Sequence, residues 1–508
     1  MINAHRPFRR FPSWFYGTVL ALQFLSAQAF NGYTFFGVSN SRNAYLVNMS
    51  NTVVKTWNFS RTGGYSAYLL PDGTVLRTAM ASSGGLNGGG AQGVVQRVDG
   101  NNTLVWEYTY STSSVRAHHD IEPMPNGNVL IIAWEAKTAA QAVAAGLNKS
   151  LALWPEHIIE VQPVGTTGGN IVWQWHAWDH LVQQYDASKA NYGVVKDHPE
   201  LININLATNT DWMHFNGISY NARLDQIVVS SHNLNEVYVI DHSTTTAEAA
   251  GHTGGRYGKG GDILYRWGMP SNHGAPGTQV FKVVHCAIWI PDSLPGGGHI
   301  MAFNNREGQG TSMVVELNPP QDSAGFYSYA AGAAFGPATP YWSYTAADFY
   351  SNHLGGLQRL PNGNTLAVES TTGFLREVDP AGKDVWTYNR GGEVVRALRY
   401  APEYPGLKNI IAGVDDDALV PASVSLEQNF PNPFNPVTTI QYSVPKESDV
   451  TLAVFDALGR HVSDIVRRPQ KAGTYTESFD ASALPSGVYF YRLTAGSVVL
   501  TKRMTLIK

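Results

Sequence analysis

Several histidines and one arginine recur at a fixed distance from short turn motifs, and side chains of these types can bind anions or move protons. The repeated segments of the chain can be aligned with one another on the proline of the turn that each contains. In one segment Tyr220 occupies the position of that proline. The residues six positions before the turn form a column. One further histidine lies two residues before the glycine of this column and is predicted to lie on the same side of a strand. The column is Tyr65, His119, His214, His285, Gly355 and Arg396, and the neighbouring histidine is His353.

Three kinds of site would use such a column. Imidazoles gathered in one cavity disfavour one another's protonation, so a cluster of them suits an anion, a metal or proton transfer. A metal is less favoured, because short spacings such as His-x-x-x-His are absent and no carboxylate lies in the column. A glycan site would favour Trp, Asn and Asp. Arg396 and Arg306 match the oxygens of sulfate or phosphate, so we expect anion chemistry with no metal and no cofactor.

A weak internal repeat indicates which elements would position the column. A short strand ending in tryptophan occurs six times, at 53–57, 103–106, 170–173, 263–267, 340–342 and 383–386. The turns carry Pro, then Asp or Asn, then Gly (70–73, 124–127 and 360–363), a sequence that favours a tight hairpin because Pro fixes φ and Gly accepts φ > 0. Insertions at 179–209 and 242–261 are predicted to be loops on a channel face.

Repeats of this length with several strands each are typical of propeller blades. The first strand of each blade lines the axis, so one column of equivalent positions would point at a common cavity. We therefore predict an all-β protein: a six-bladed β-propeller at 30–413, a linker at 414–424 and a small C-terminal β-sandwich at 425–508. Two stacked β-sandwiches are the alternative for the first of these regions.

Composition and the N-terminus indicate an exported protein. The net charge is −4, from 35 Lys and Arg against 39 Asp and Glu, which gives no global attraction to nucleic acid. Basic residues, an apolar stretch and Ala27-Gln28-Ala29 predict a signal peptide at 1–29. No apolar run reaches the roughly 20 residues of a membrane span. The single cysteine, Cys286, is expected to be buried and structural.

The last segment resembles the C-terminal sorting domain of the type IX secretion system. The matching pieces are the Asn-Pro-rich opening at 425–436, Val454-Phe455-Asp456-Ala457-Leu458-Gly459-Arg460, the segment 487–493 and the basic end Lys502-Arg503. This resemblance implies periplasmic transit, an interaction with the secretion machinery, and then release or attachment at the cell surface. A carbohydrate-binding β-sandwich is the alternative.

Residues 31–412 resemble the bacterial arylsulfate sulfotransferases, which are six-bladed propellers. The match is best at Asp211-Trp212-Met213-His214-Phe215-Asn216 and extends to Ala117-His118-His119-Asp120-Ile121, Ala302-Phe303-Asn304-Asn305-Arg306 and Asn352-His353. The resemblance implies an enzyme that transfers a sulfuryl group from an aryl sulfate to a phenol by a ping-pong route, through a sulfated histidine and without a nucleotide donor.

The same resemblance implies roles for individual residues. His353 would be the nucleophile, His214 and His285 would serve as acid/base and sulfuryl-binding groups, and Arg306 would bind the sulfuryl oxygens. We assign substrate binding to the remaining polar positions of the column and its flanks, which are His118, His119, Arg396, Tyr65 and Asn216. The family pairs two cysteines near its site, whereas this chain has one. The alternative function is a secreted propeller that binds a glycan or a surface partner without catalysis.

Overall fold

The computed structural model describes residues 28–306, 308–408, 410–411, 423–429 and 431–508. The predicted signal peptide (1–29) falls almost entirely outside these residues, as does most of the predicted linker. Over the described part of the chain no helix has both the length and the apolar character needed to span a bilayer.

Strands dominate the structure, and the helices are short. The first nine strands are β1 (Tyr33–Gly37), β2 (Asn43–Val47), β3 (Val53–Asn58), β4 (Gly63–Leu69), β5 (Val75–Met80), β6 (Gly93–Val98), β7 (Leu104–Thr109), β8 (Val115–Pro123) and β9 (Val129–Glu135). The next eight are β10 (Glu156–Val164), β11 (Gly168–His176), β12 (Leu181–Val182), β13 (Ile202–Asn203), β14 (Phe215–Asn221), β15 (Gln226–Ser231), β16 (Glu236–Asp241) and β17 (Tyr265–Trp267).

The remaining strands follow the same pattern. They are β18 (Val284–Trp289), β19 (Ile300–Asn304), β20 (Met313–Leu317), β21 (Trp342–Tyr344), β22 (Gly356–Arg359), β23 (Thr365–Glu369), β24 (Phe374–Val378), β25 (Asp384–Asn389), β26 (Ala397–Tyr400), β27 (Ser425–Leu426), β28 (Val437–Val444), β29 (Ser448–Asp456), β30 (His461–Gln470), β31 (Gly473–Asp480), β32 (Gly487–Ala495) and β33 (Val498–Leu506). The helices are α1 (Ala139–Ala144), α2 (Thr246–Ala249) and 3₁₀ turns at Ala177–Asp179, Val195–Asp197, Ile204–Leu206, Pro270–His273 and Pro405–Leu407.

Six antiparallel four-stranded sheets form the blades, which confirms the predicted propeller. In channel-to-rim order they are β26-β1-β2-β3, β4-β5-β6-β7, β8-β9-β10-β11, β14-β15-β16-β17, β18-β19-β20-β21 and β22-β23-β24-β25. The first blade closes the ring, because its inner strand β26 comes from the far end of the propeller and pairs with β1. Each repeated tryptophan strand becomes the outermost strand of one blade.

Hydrophobic packing between consecutive blades holds the ring together. Six clusters of buried apolar side chains occupy the six junctions, and each draws residues from two neighbouring sheets. In one of them Leu130 and Ile132 of β9 pack with Ile218 of β14 and Ile227 of β15. Burial of apolar surface contributes about 25 cal/mol per Å², so these junctions supply a continuous core around the axis.

The predicted hairpin turns join the inner strand of a blade to its second strand. Gly73, Gly127 and Gly363 have φ of 83°, 86° and 91°, which a side chain would disfavour. Each donates its backbone N–H to the carbonyl three residues earlier. The turns therefore mark one end of the propeller, and the column six residues upstream approaches the other end of each inner strand.

The two insertions differ from the prediction. The first holds the short parallel pair β12-β13. The second connects β16 to β17, includes α2, and packs against the rim strand β11 rather than over the channel. Trp173 and Trp175 of β11 donate indole N–H bonds to Thr244 and Gly261 in this segment. Its position on a channel face was therefore a wrong prediction, because the two β11 indoles bind it at the rim.

The C-terminal segment forms two further sheets, β27-β28-β31 and β30-β29-β32-β33. Their facing sides enclose a separate cluster of buried apolar residues that includes Ile440, Leu452, Tyr491 and Met504. Two antiparallel sheets around one core form a β-sandwich, as predicted.

Candidate functional site

The inner strands are irregular at the predicted column. In β4, β8, β14 and β18 the register with the second strand shifts within 63–67, 117–121, 215–217 and 285–288 respectively. A β-bulge bends its strand and re-aims the side chains beside it, and such bulges are frequent near active sites. The column therefore coincides with the points at which four blades break their regular pairing.

The backbone at these positions is strained. His119, His214, Cys286 and Leu354 have φ of 46°, 55°, 51° and 59°, in the left-handed region that side chains disfavour. Such conformations cost on the order of 1–3 kcal/mol each and cluster at functional sites. Strain at a column position or directly beside one, in four blades, indicates that the surrounding structure holds these side chains in required directions.

Most of the column lines one narrow cavity on the axis. Tyr65, His119, Asn216, His285 and Arg396 share this cavity, together with Ser66, Asp120, Cys286, Gly355 and others. In the blade that contains β14, Asn216 faces the cavity, and its amide donates to the Val284 carbonyl at 2.8 Å. The cavity therefore brings together four side chains and the glycine of the aligned column, with Asn216 in place of His214.

A row of imidazole rings lies beside this cavity, and its first and last members, His119 and His285, also line it. Ring centroids are 4.5 Å apart for His119 and His214, 5.0 Å for His214 and His232, and 5.3 Å for His232 and His285. His232, which directly follows β15, was not predicted as a site residue. His214, predicted as a column residue, thus lies in this row beside the cavity.

Three histidines of this region share one arrangement of ring nitrogens. In each the Nδ1–H donates to a side-chain oxygen, so that the neutral ring carries its lone pair on Nε2. The pairs are His214 with Asp211 (2.6 Å), His232 with Asn233 (2.7 Å) and His353 with Asn352 (2.8 Å). A fixed tautomer with an available Nε2 suits a nucleophile or a general base.

His285 is held through both nitrogens. Its Nδ1 bonds to the Asn305 carboxamide oxygen at 2.7 Å, and its Nε2 accepts the Leu354 N–H at 3.3 Å. The Asn305 amide also donates to the carbonyls of Ser351 and Leu354. Asn305 therefore ties His285 to the segment that carries His353.

His118 and His119 form a buried relay with a carboxylate that the sequence analysis missed. The two Nδ1 atoms are 2.9 Å apart, and Nε2 of His118 lies 2.8 Å from Oε2 of Glu156. The other Glu156 oxygen accepts the Phe215 N–H at 2.8 Å. Burial raises the pKa of Glu156 well above its usual range. A proton given up at Nε2 of His119 can thus be replaced by a shift of protons along the relay from Glu156, whose raised pKa favours the protonated carboxyl.

His353 lies in a loop before β22, not on a strand beside the column as predicted. Its side chain is 52% exposed, and its Nε2 is 3.9 Å from Oε2 of Glu393. Burial lowers the pKa of His232 to about 4 and that of His285 well below its usual range, and a smaller contribution to both shifts comes from His353, which indicates that its ring lies near theirs. Burial and Glu393 together raise the pKa of Tyr65. His353 therefore stands near the row of imidazoles on their solvent side.

The two arginines differ in their surroundings. Arg396 is buried and forms an ion pair with Asp120 at 2.6 Å, and it also donates to the Tyr68 hydroxyl. Burial lowers the pKa of Arg396 to about 10, which leaves it charged at neutral pH. Arg306 is partly exposed and donates to Gln309 and Thr311 in its own loop. The charge of Arg396 is thus already compensated, whereas the Arg306 guanidinium bonds neutral groups.

Burial keeps the inner imidazoles neutral. It lowers the pKa of His118 to about 3 and those of His119 and His285 well below the usual range, with neighbouring histidines adding to the effect. Burial also raises the pKa of the Cys286 thiol to about 12. Cys286 is therefore a buried, protonated thiol, as predicted, and the inner histidines can accept hydrogen bonds at neutral pH.

These depressed values predict a loss of stability in acid. Below about pH 6.5 the unfolded chain binds protons at these histidines, whereas folded His118 binds one only near pH 3. Each such histidine lowers the free energy of unfolding by about 1.4 kcal/mol per pH unit across its window. The raised pKa values of Asp120, Glu122 and Glu156 act in the opposite direction. Six histidines have lowered values and outnumber them, so we expect Tm, measured by calorimetry, to fall as the pH drops below about 6.5. A Tm that stays level down to about pH 4 would contradict the buried neutral cluster.

A glycine-rich segment covers the pair His119 and His214. A Cβ at Gly90 (φ +78°) would lie 2.1–2.4 Å from the His119 ring, whereas a Cβ at Gly89 would meet His214 at an ordinary 3.5 Å. We expect Gly90→Ala to displace His119 and to lower about 100-fold the rate of the sulfuryl transfer that the sequence resemblance implies, since a shift near 1 Å costs that much. Gly89→Ala is the matched control and should retain activity. Equal activity of both variants would show that His119 placement is unimportant.

The site residues that were not predicted differ in how strong a signal each has in the sequence. Asp211 lies three residues before His214 in the motif Asp-Trp-x-His, so its contact with His214 could have been predicted from this short spacing. Glu156, His232 and Glu393 lie in parts of the sequence with no motif of their own, whereas Asn305 lies in the segment 302–306, in which only Arg306 was given a role. Only the packing of β10 against β14 and of neighbouring inner strands brings them to the site.

Comparisons with known families agree with this architecture. Residues 90–402 match the family described as Arylsulfotransferase (ASST), and residues 428–508 match the Secretion system C-terminal sorting domain. The first match covers more than half of the chain. The second accounts for the β-sandwich and indicates export, followed by secretion or attachment at the cell surface. No curated protein sequence matches the chain.

Several solved structures overlap weakly with the chain. One is a protein of unknown function from Bacteroides caccae, with 11% identity, a TM-score of 0.41, and coverage of 73% of this chain and 98% of that one. Another is virginiamycin B lyase from Staphylococcus aureus, with 8% identity, a TM-score of 0.33, and coverage of 89% and 92%. At these TM-scores the overlaps bear on neither fold nor function.

Proposed function

The chain belongs to the arylsulfotransferase (ASST) family, and from this premise we propose that it transfers a sulfuryl group from an aryl sulfate to a phenol through a sulfo-histidine. The observation that carries the proposal is the set of three imidazoles whose Nδ1–H groups are fixed by oxygens, leaving Nε2 as the reactive nitrogen. Such an arrangement in one region suits nucleophilic attack combined with proton transfer.

The first half-reaction uses His353. Its Nδ1–H donates to Asn352, so the Nε2 lone pair attacks the sulfur of the donor. An N–S bond forms while the bond between sulfur and the aryl oxygen breaks, and the phenolate leaves with the bonding electrons. The exposure of His353 allows a solvent-borne donor to reach it without opening the propeller. A covalent intermediate of this kind divides one difficult step into two.

The departing phenolate needs a proton, and His214 is the proposed source. Its carboxylate partner Asp211, 2.6 Å from Nδ1, stabilises the imidazolium form and orients the ring. In the second half-reaction the neutral His214 accepts a proton from the acceptor phenol, whose oxygen then attacks sulfur and breaks the N–S bond. Acid/base catalysis by a positioned imidazole contributes about 10²–10⁴-fold.

Charge on the sulfuryl oxygens is proposed to be met by Arg306. The nitrogens of His285 are both engaged, by Asn305 and Leu354, and its ring is neutral, so His285 is proposed to position the segment of His353 rather than to carry charge. Arg306 bonds two neutral side chains, Gln309 and Thr311, so its full positive charge remains available to an anion. His119, with the relay through His118 to Glu156, is proposed to act as a further hydrogen-bonding group toward substrate. Tyr65, Asn216 and Arg396 line the cavity below and are proposed to shape the binding region.

A cleft beside the histidines has room for an aromatic ring. It measures about 310 Å³ and is lined by Tyr65, Gly90, Asn87, Met80 and Arg116 among others. Small-molecule sites start at about this volume. We propose that the aryl group of donor or acceptor occupies this cleft, with the Tyr65 ring as one wall.

An assay with 4-nitrophenyl sulfate and phenol distinguishes sulfuryl transfer from ligand binding without catalysis. If the proposal is correct, nitrophenol release depends on phenol, and phenyl sulfate accumulates in equal amount. A secreted propeller that only binds a glycan or a surface partner would release no nitrophenol while remaining folded. The absence of turnover with any aryl sulfate, in protein of normal Tm, would overturn the proposal.

A further inference from the structure

We propose that His180, His252 and Asp262 bind a divalent transition-metal ion, with Zn²⁺ the best match, where the two insertions meet at the propeller rim. Within the described residues these three form the one group of three His, Cys, Asp or Glu side chains whose ligand atoms all lie within 4.8 Å of one another. The group is separate from the imidazoles at the channel and does not depend on the function proposed for them.

Two imidazoles converge on a single carboxylate oxygen. Oδ1 of Asp262 lies 2.8 Å from Nδ1 of His180 and 2.7 Å from Nδ1 of His252. His242, by contrast, bonds two different carboxylates through its two nitrogens, and these partners raise its pKa to about 9 despite its burial. A lone protonated histidine suffices to explain His242, whereas three ligand atoms that face one point suit a shared cation.

The other nitrogen of His180 supports this assignment. Its Nε2–H donates to the Ala249 carbonyl at 2.9 Å, which places the lone pair of the neutral ring on Nδ1, toward Asp262. Metal-binding histidines usually donate their second N–H to a carbonyl or carboxylate in this way. The ring is fully buried and lies parallel to Trp175 at a centroid distance of 5.6 Å. His180 is therefore oriented and held independently of Asp262.

The glycine-rich segment 251–261 delivers the other two ligands. A Cβ at Gly261 would lie 2.0 Å from the Ala249 oxygen and 2.6 Å from Nε2 of His180, so only glycine permits this close approach next to Asp262. His252 stands at the surface with 59% of its side chain exposed. Two ligands are thus buried and fixed, while the third can close over an ion from solvent.

The donor set selects the class of metal. Two imidazole nitrogens and one carboxylate oxygen suit Zn²⁺ and related transition metals in a tetrahedral site with a fourth position for water. Ca²⁺ and Mg²⁺ prefer oxygen ligands throughout. Because His180 follows β11 and Asp262 precedes β17, the ion would link the rims of two adjacent blades and stabilise both insertions.

The test uses the full chain, freed of metal by dialysis against a chelator and then titrated with Co²⁺. The expected result is one high-affinity equivalent with the visible spectrum of tetrahedral cobalt, displaced by Zn²⁺, together with a higher Tm. His252→Ala removes an exposed ligand and should weaken binding about 100-fold or more, and Asp262→Asn should act likewise. His198→Ala, which removes an exposed histidine paired with Glu200 in the first insertion, is the matched control and should bind as the parent does.

The outcomes are distinct from those of the transfer assay. Failure to bind Co²⁺ or Zn²⁺ would overturn the metal site, and so would stoichiometric binding that persists unchanged in both His252→Ala and Asp262→Asn. Loss of one equivalent in His252→Ala, with folding intact by circular dichroism, supports it. Sulfuryl transfer is measured separately, so a negative result in either experiment leaves the other proposal standing.

Discussion

Replacing His353 with alanine is expected to lower phenol-dependent nitrophenol release by at least about 10³-fold, because the variant lacks the nitrogen that attacks sulfur. Its side chain is half exposed and contacts few groups, namely Asn352 and, at 3.9 Å, Glu393. The fold should therefore be unaffected, and Tm should change little. Initial rates at saturating donor and phenol provide the measurement.

His198→Ala serves as the control for His353→Ala. Both remove a surface histidine beside a glutamate, but His198 lies in the first insertion and away from the channel. The control should keep full activity. Comparable rates for His353→Ala and the parent would assign the nucleophile elsewhere, with His232 the next residue to test because it has the same nitrogen arrangement.

Asp211→Asn is expected to lower turnover by about 10²–10⁴-fold while leaving the fold intact. The carboxylate lies 2.6 Å from Nδ1 of His214 and compensates the charge that appears when this ring takes up a proton. An amide cannot compensate that charge, and it can also favour the wrong tautomer. Asp211 acts through His214, so it is a positioning residue, and kcat should fall more than KM changes.

The pH profile distinguishes this role from a structural one. The variant lacks the negative charge that favours the imidazolium form of His214. The pH values at which the two limbs of its bell-shaped rate profile fall should therefore differ from those of the parent. Asp186→Asn, which changes an exposed aspartate bonded to Ser188, is the matched control. A uniformly lower rate with an unchanged profile would mean that Asp211 only supports the local structure.

The architecture was predictable because it repeats. Each tryptophan strand, such as those ending at Trp57 and Trp386, has the same place at the rim of its blade. The Pro-Asn-Gly turns at 124–127 and 360–363 also have mechanisms that do not depend on distant contacts. Six copies of the same local pattern support one another as evidence. The fold class, and the convergence of the column on one cavity, could therefore be predicted from local signals.

The details of the site depend on long-range packing, which local patterns do not encode. The bulge within 117–121 and the left-handed backbone of His119 arise from pairing and contacts across blades. Glu156 reaches His118 because β10 belongs to the same blade, 38 positions further along the chain. His353 departed from its predicted place because β22 begins only at Gly356, which leaves Asn352 and His353 in an exposed loop between the buried residues Ser351 and Leu354.

His353 is proposed to carry the sulfuryl group between donor and acceptor. The most direct measurement is mass spectrometry of protein mixed with 4-nitrophenyl sulfate without phenol, digested at alkaline pH and searched for a sulfuryl adduct. We predict an adduct on the peptide that contains His353, which disappears when phenol is added. An adduct on a different residue, or phenol-dependent turnover with no adduct on His353, would show that His353 is not the nucleophile.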